Sequence, residues 1–184
     1  MKKVWLLLTC LWSTAAMAQI SQGTILAGGS FGINFGKEYS EVRSGNTLVR
    51  TEQKFTEINF NPSVGMFVSD EIALGLAMDI FTRSVEGDHE YTTVGVGPFA
   101  RFYLPMNLFF EGYVGYASQK FGKNTTYNGL GYSLGAGFAF FVNNHVAIEP
   151  ALRFRGYALS NADDKDLKQG RNGLLIGVGL QTYF

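Results

Sequence analysis

Apolar side chains occupy every second position over most of this chain, from about residue 55 to the last residue. The final segment shows the pattern clearly, with Ile176, Val178, Leu180 and Phe184 separated by small or polar residues. A helix would place its apolar residues three and four apart, whereas alternation predicts β-strands with two unlike faces. The chain is therefore predicted to be all-β.

Eight segments carry the alternation, and the connections between them alternate in length. The segments are residues 25–35, 57–68, 72–80, 92–102, 108–116, 130–140, 146–154 and 176–184. Tight turns are predicted around Asp70, Met106 and Asn144, and the other four connections are longer and polar. Alternating short turns and longer loops are typical of antiparallel outer-membrane barrels. The pattern predicts an eight-stranded, antiparallel, up-and-down barrel.

The composition of the two faces distinguishes a membrane barrel from a soluble one. One face has no charged residue in any of the eight segments, whereas the other is rich in glycine and carries the charges. In water the apolar face would form one continuous adhesive sheet. Aromatic residues on it fall near the two ends of the strands, as in the girdles of a transmembrane barrel. They are Phe102, Phe110, Phe140 and Phe184 near the tight turns, and Phe35, Tyr116, Tyr132 and Phe154 near the longer connections.

The first residues have the composition of a secretory signal peptide. Lys2 and Lys3 precede an apolar stretch from Val4 to Trp12, and Ala16-Met17-Ala18 forms a cleavage site. The apolar stretch is too short to cross a bilayer as a helix, which takes about 20 residues. We predict a cleaved peptide at residues 1–18 and a barrel domain at residues 19–184. Lipidation at Cys10 is the alternative; a chain cut after Ala18 contains no cysteine and so forms no disulfide.

The charges within the strands all fall on the face predicted to line the barrel. They are Glu57, Asp79, Arg101, Glu111, Glu149 and Arg153, together with Arg83 and Arg155, which continue the same alternation just past the ends of two segments; four are of each sign. Centring the first two tight turns on Asp70 and Met106 places Glu57 opposite Arg83 and Arg101 opposite Glu111. Arginine can pair with carboxylates through two hydrogen bonds, and eight strands enclose only enough room for side chains. We predict a structural network of ion pairs; a selective pore for small solutes is the alternative.

Three prolines lie within the predicted strands. Pro62, Pro98 and Pro150 each remove a backbone hydrogen bond. All three are close to tight turns, so we expect β-bulges at that rim.

The histidines and the acidic loop segments are the candidates for a catalytic or metal-binding site. His89 and His145 are predicted at opposite ends of the barrel, and no nucleophile has a base nearby. Asp88-His89-Glu90 is interpreted as a solvated loop tip, and residues 160–164 lack the spacing of a calcium loop. No basic patch suggests nucleic acid. We therefore predict no enzymatic activity, cofactor or metal; a rim enzyme acting on lipid is the alternative.

Three stretches of the sequence resemble a known class of proteins. They are Asn61 to Asp70, Gly97 to Tyr103 and Gly179 to Phe184. The chain resembles small outer-membrane barrels of the OmpA/OmpX type and, more closely, the outer membrane protein beta-barrel or porin-family proteins of Bacteroidetes. Its end is also similar to the signal read by the barrel-assembly machinery. Gly179 and Phe184 match that signal, whereas Thr182 replaces a bulkier residue.

Together these features predict a monomeric, non-enzymatic protein in the outer membrane of a Gram-negative bacterium. The tight turns and both termini are expected to face the periplasm. The loops predicted at residues 37–54 and 157–171 would meet the environment, since loops on a rigid scaffold often carry function. The expected partners are outer-membrane lipid and the assembly machinery. The sequence identifies no extracellular ligand.

Overall fold

The computed structural model describes residues 20–44, 47–83, 91–121, 125–162, 164 and 166–184. The predicted signal peptide lies outside these residues. In chain order the strands are β1 Ile25–Ser44, β2 Thr47–Phe67, β3 Ile72–Arg83, β4 Tyr91–Tyr103, β5 Leu108–Phe121, β6 Thr125–Phe138, β7 Phe140–Phe141, β8 Val146–Asn161 and β9 Leu167–Tyr183. No helix within the described part of the chain has the length and hydrophobicity needed to cross a bilayer.

The strands form one closed antiparallel barrel. Each strand pairs with its neighbours in sequence, and β1 closes the ring by pairing with β9 from Leu26–Tyr183 to Val42–Leu167. The short β7 continues β6 beyond Ala139 and pairs with β8 in an unchanged register, so the two form one wall strand. The predicted eight-stranded, up-and-down barrel is confirmed.

Three tight turns lie at one end of the barrel, which we call the turn end. They are closed by backbone hydrogen bonds from Val68 to Ile72 (2.8 Å), from Leu104 to Leu108 (2.7 Å) and from Val142 to Val146 (2.9 Å). The predicted positions of all three turns are confirmed. Side chains shape the third, where the Asn143 Oδ1 accepts from the backbone N–H of Val146 at 2.9 Å.

At the opposite end the predicted loops are mostly strand. β1 and β2 stay paired from Ile25–Met66 as far as Ser44–Thr47, so residues 37–44 and 47–54 are paired strands rather than a loop. β8 and β9 likewise extend to Ser160–Lys168. The prediction failed because these segments lose the apolar alternation, whereas backbone pairing needs no apolar face once the strands have met. We call this end the hairpin end, and residues 37–54 the β1–β2 hairpin.

The two faces of the wall differ as predicted. Large apolar side chains point outward and are exposed, with exposed fractions of 69% for Ile58 and 68% for Leu134. Burial alternates residue by residue along β8 and β9. The aromatic residues assigned to the two girdles are exposed on the outer wall: Phe35, Phe102, Phe110, Tyr116, Tyr132, Phe140, Phe154 and Phe184.

The prolines produce no bulges, contrary to the prediction. β2 and β3 pair at Phe60–Ile80 and again at Ser63–Ala77, so Pro62 interrupts the pairing without inserting a residue. The pairing of β4 with β5 is interrupted at Pro98 in the same way. A bulge would change the register by one residue. The wall therefore tolerates a missing N–H donor at these points without changing the side-chain alternation.

Candidate functional site: the polar interior

The interior is the candidate site because its charged and polar groups come together there. At the turn end it begins with an apolar layer in which the Phe67 ring lies 5.3 Å from the Tyr103 ring and the Tyr103 ring 5.7 Å from the Phe109 ring. This face was predicted to be glycine-rich and charged, and most of its aromatic residues were not predicted. Phe67 and Phe109 occupy inward positions of the alternation, which is the signal that could have found them.

Above this layer lies the first ionic cluster, centred on Arg101 of β4. Arg101 is 1% exposed and donates to Glu111 at 2.6 Å, to Glu149 at 2.8 Å and to the Tyr103 hydroxyl at 2.9 Å. Glu111 also accepts from the Nε of Arg153 at 3.0 Å. One guanidinium thus joins carboxylates from β5 and β8 across the lumen.

Two tyrosines complete the first ionic cluster. Tyr183 donates its hydroxyl hydrogen to Glu149, and its oxygen lies 2.9 Å from the hydroxyl of Tyr103. Because a phenol has a single hydrogen to donate, Tyr103 is the donor of that second bond. The cluster therefore runs without interruption from Glu111 through Arg101, Glu149 and Tyr183 to Tyr103.

A second ionic cluster lies nearer the hairpin end, around Asp79 of β3. Its carboxylate accepts from Asn59 at 3.1 Å and from Asn61 at 2.6 Å. Arg155 and the Tyr157 hydroxyl, both from β8, also donate to it. Arg155 donates in addition to Asn59. Removing a partner from a buried charge of this kind is strongly destabilising, so these contacts hold β8 against β2 and β3.

Glu57 has a partner that the sequence analysis did not identify. Arg171 donates to it at 2.7 Å and Asn34 at 3.0 Å, and the Arg171 guanidinium lies 3.6 Å from the centre of the Phe81 ring. Sequence reasoning missed Arg171 because that residue stood at the edge of a predicted loop. The predicted partner Arg83 ends β3, and its side chain lies outside the described residues.

Of the eight predicted interior charges, six belong to the two clusters, Glu57 pairs with Arg171, and the Arg83 side chain lies outside the described residues. Arg101 and Glu111 are paired in register and in contact. Asp79 and Arg153 belong to different clusters. With Arg171 counted, four arginines and four carboxylates of the described interior form ion pairs with one another. The charges of these eight side chains sum to zero.

A small polar cavity of about 30 Å³ separates the clusters. It has room for roughly two water molecules. Three polar atoms of residues that line it have no hydrogen-bond partner among the described residues: the Asn61 Oδ1, the Tyr113 hydroxyl and the Gln181 Oε1. Buried polar atoms are nearly always paired with protein or ordered water. We expect ordered water in this cavity.

No separate chemical centre appears elsewhere in the described part of the chain. His145 lies in a turn, where its Nδ1 is 2.9 Å from the Tyr183 carbonyl oxygen. Asn161 accepts from the N–H of Asp164 at 3.1 Å, which is turn geometry. Within the described ranges no three histidine, cysteine or acidic side chains form a group that could hold a metal. The predicted loop tip at Asp88-His89-Glu90 lies outside those ranges.

The two residues of the predicted assembly signal lie in and beside β9. Gly179 pairs with Glu149 on one side and with Ser30 on the other. Phe184 exchanges backbone hydrogen bonds with Ile25, at 2.7 and 2.9 Å, and its ring is 70% exposed on the outer wall. Both therefore lie on the seam where the last strand meets the first.

Comparison with known proteins places the fold. No family model matches the chain, and no curated protein matches its sequence. Among solved structures, the outer membrane protein AlkL aligns with a TM-score of 0.58 at 14% identity, over 92% of this chain and 94% of that chain. OprG of Pseudomonas aeruginosa gives 0.52 at 11%, over 91% and 98%. Neisserial surface protein A gives 0.51 at 12%, over 84% and 97%. The chain has the fold of the small eight-stranded outer-membrane β-barrels.

Proposed function

We propose that the protein is a monomeric, non-enzymatic barrel of the outer membrane that does not conduct solutes and presents its hairpin end to the environment. The observation that carries the proposal is the filled lumen. Two ionic clusters, each spanning the barrel, lie on either side of a cavity of about 30 Å³. Apolar layers containing Phe109 and Leu159 lie beyond them. Among the described residues, the cavity between these layers has room for only about two water molecules.

The membrane location is supported by the outer wall. An exposed apolar surface that continues around eight strands would aggregate in water but suits the hydrocarbon core of a bilayer. A closed barrel also leaves no unpaired strand edge in lipid. The fold it shares with known outer-membrane barrels supports a Gram-negative outer membrane in particular. We propose periplasmic termini because short turns usually face the periplasm.

Export and assembly follow the same proposal. Residues 1–18 would direct export and be removed, and the barrel-assembly machinery would read Gly179 and Phe184. The finer resemblance, to the porin-family barrels of Bacteroidetes, rests on the three sequence stretches given above. The name porin does not imply conduction by an eight-stranded member, since a barrel of this size is filled by its own side chains.

Single-channel recording tests the filled lumen. The refolded mature protein, with folding verified by its heat-dependent gel mobility, is added to a planar bilayer. We expect a silent membrane because each cluster closes the lumen. Stable stepwise openings would overturn the proposal and move the protein to the class of small-solute channels.

Orientation is tested with a short epitope placed between residues 45 and 46, in the connection between β1 and β2. Antibody should label intact cells, because the proposal places the hairpin end outside. The matched control carries the same epitope between Asn143 and Asn144, at the turn end, and should be labelled only after the outer membrane is permeabilised. The reverse pattern would contradict the proposed orientation.

A further inference from the structure

The exposed apolar side chains of the outer wall form a band around the barrel, which we call the apolar band. Two lysines lie side by side on the outer wall, directly beyond this band at the hairpin end. Phe35 and Leu174 form the last apolar row of β1 and β9. Two residues further along, Lys37 of β1 pairs directly with Lys54 of β2. Both are exposed and share the outward face of Phe35. Two residues of strand advance about 7 Å, so the lysines are at the depth where lipid headgroups begin.

This pair is unfavourable by itself. Directly opposite residues on antiparallel strands have Cβ atoms about 5 Å apart, and like charges in that position destabilise the pairing. Glu52 is 3.9 Å from the Lys37 ammonium but also pairs with Arg50 at 3.1 Å. No carboxylate among the described residues forms an ion pair with Lys54. A bound anion would reduce the repulsion between the two lysines, so the pair is suited to binding one.

The surrounding outer wall adds to the positive charge. Arg50 lies 4.3 Å from the centre of the Tyr39 ring and also contacts Glu41 at 3.6 Å. On β9, Lys168 is exposed opposite Glu41. The described outward residues of this patch thus comprise four cations and two anions. The cations are Lys37, Arg50, Lys54 and Lys168, and the anions are Glu41 and Glu52.

We propose that Lys37 and Lys54, with Arg50 beside them, bind a phosphate group of a phosphorylated lipid in the outer leaflet. The proposal rests on the orientation given under Proposed function. Position selects a lipid as the occupant, since the acyl chains of a lipid whose phosphate lay between the lysines would run along the exposed Phe35 and the apolar band below it. An acidic segment of another protein would satisfy the charge but would make no use of that band.

The test is native mass spectrometry of the refolded protein in a neutral detergent, with lipid A as the probe. Diphosphorylated lipid A is compared with the same lipid after enzymatic removal of its phosphates. The wild type should retain the phosphorylated lipid preferentially. Changing both lysines (Lys37→Gln with Lys54→Gln) should weaken that binding by about thirtyfold, from the usual contribution of two basic residues to binding an anionic lipid surface. Binding of the dephosphorylated lipid should not change.

Lys120→Gln is the matched control. Lys120 is exposed on β5 on the other side of the barrel, also at the hairpin end, and pairs only with Thr92 and Thr126. Its replacement removes one outward lysine without touching the pair and should leave lipid binding unchanged. Equal losses in the control and the double variant would reduce the effect to general surface charge and overturn the proposal. So would undiminished binding by the double variant.

Two further measurements show whether the double variant is still stably folded and whether the bound phosphate belongs to a lipid or is the free ion. Without lipid, the double variant should unfold at the same or a higher temperature than the wild type, because the repulsion between two like charges has been removed. Inorganic phosphate at equal concentration should displace little lipid, since it lacks acyl chains. Complete displacement by inorganic phosphate would assign the site to the free ion and overturn the lipid. None of these outcomes depends on conductance or on labelling of cells, so the site can fail while the proposed function stands.

Discussion

Arg101 of β4 reaches across the lumen to Glu149 of β8, and the Arg101 Nη1 lies 2.8 Å from the Glu149 Oε2. Both side chains are 1% exposed. Neither strand pairs with the other in the wall, so this contact joins parts of the barrel that share no backbone hydrogen bonds.

We predict strong coupling between these two residues. Arg101→Gln alone should lower the free energy of unfolding by about 3–5 kcal/mol, because it leaves the buried Glu149 without an ion-pair partner. Glu149→Gln alone should cost less, because Arg101 keeps its ion pair with Glu111. The double variant should lose less than the sum, by about 0.5–3 kcal/mol. Urea unfolding from lipid vesicles measures all four proteins. Additive losses would show that the contact contributes nothing, and a cycle of Arg101→Gln with the distant Lys120→Gln supplies the additive reference.

Exchanging the charges of Arg101 and Glu111 should not restore stability. Arg101→Glu combined with Glu111→Arg keeps that pair but places the new carboxylate against Glu149 and the new guanidinium against Arg153. The exchanged protein should stay well below the wild type in urea. Recovery to wild-type stability would mean that the pair is isolated, which the contacts of Glu111 with Arg153 do not allow.

The Tyr157 hydroxyl should matter although it carries no charge. It donates to Asp79 and accepts from Arg155, so Tyr157→Phe leaves two buried charges each short of one hydrogen bond. We expect a loss of about 1–3 kcal/mol. Tyr116→Phe is the control, since that side chain is 59% exposed on the outer wall. Its effect should stay within about 0.5 kcal/mol; equal effects in the two variants would count against the Asp79 network.

Substitutions at two glycines of β9 distinguish an effect on assembly from an effect on stability. A Cβ built at Gly179 has its nearest neighbours at 3.4 Å, an ordinary contact, whereas at Gly177 it meets the Phe31 carbonyl oxygen at 2.7 Å. Gly177→Ala should therefore destabilise the refolded barrel, and Gly179→Ala should not. If Gly179 belongs to the assembly signal, its replacement should instead lower the amount of folded barrel in cell envelopes. Unchanged amounts would remove it from the signal.

The β1–β2 hairpin should be dispensable for folding. Residues 48–54 are exposed, so they bury little that could stabilise the barrel. Replacing residues 38–53 by Asn-Gly, a favoured two-residue turn, should leave the heat-dependent gel mobility of the refolded protein intact. Loss of the folded form would show that strand pairing beyond the apolar band contributes to closure.

The wall of the barrel could be predicted from the sequence because the same alternation of apolar and polar residues recurs in every strand. Alternation fixes which face each residue occupies, and tight turns fix the register, so the Arg101–Glu111 pair followed from counting back from Met106. The paired but polar parts of β1 and β2 could not be recognised, since no apolar face marks them. They contain Lys37 and Lys54, whose pairing appears only once the strands are known to continue.

The contacts across the lumen could not be predicted because register links only neighbouring strands. Arg155 and Asp79 lie on β8 and β3, which are not neighbours in the wall. Which side chains meet there depends on their length and on the strand tilt, neither of which the alternation reveals. Arg171 shows the limit most plainly, since its partner Glu57 is 114 residues away.

The seam between β1 and β9 determines when the protein can fold. Leu26 pairs with Tyr183, so the first strand waits for the last before either has its full set of backbone partners. Pairing over such a separation is slow, because the entropy of closing the longest loop in the chain is lost before any stabilising contact between the two strands forms. No N-terminal fragment emerging during synthesis can seal the ring. The ring therefore closes only after the final strand has been made, and β1 keeps an unpaired edge until then.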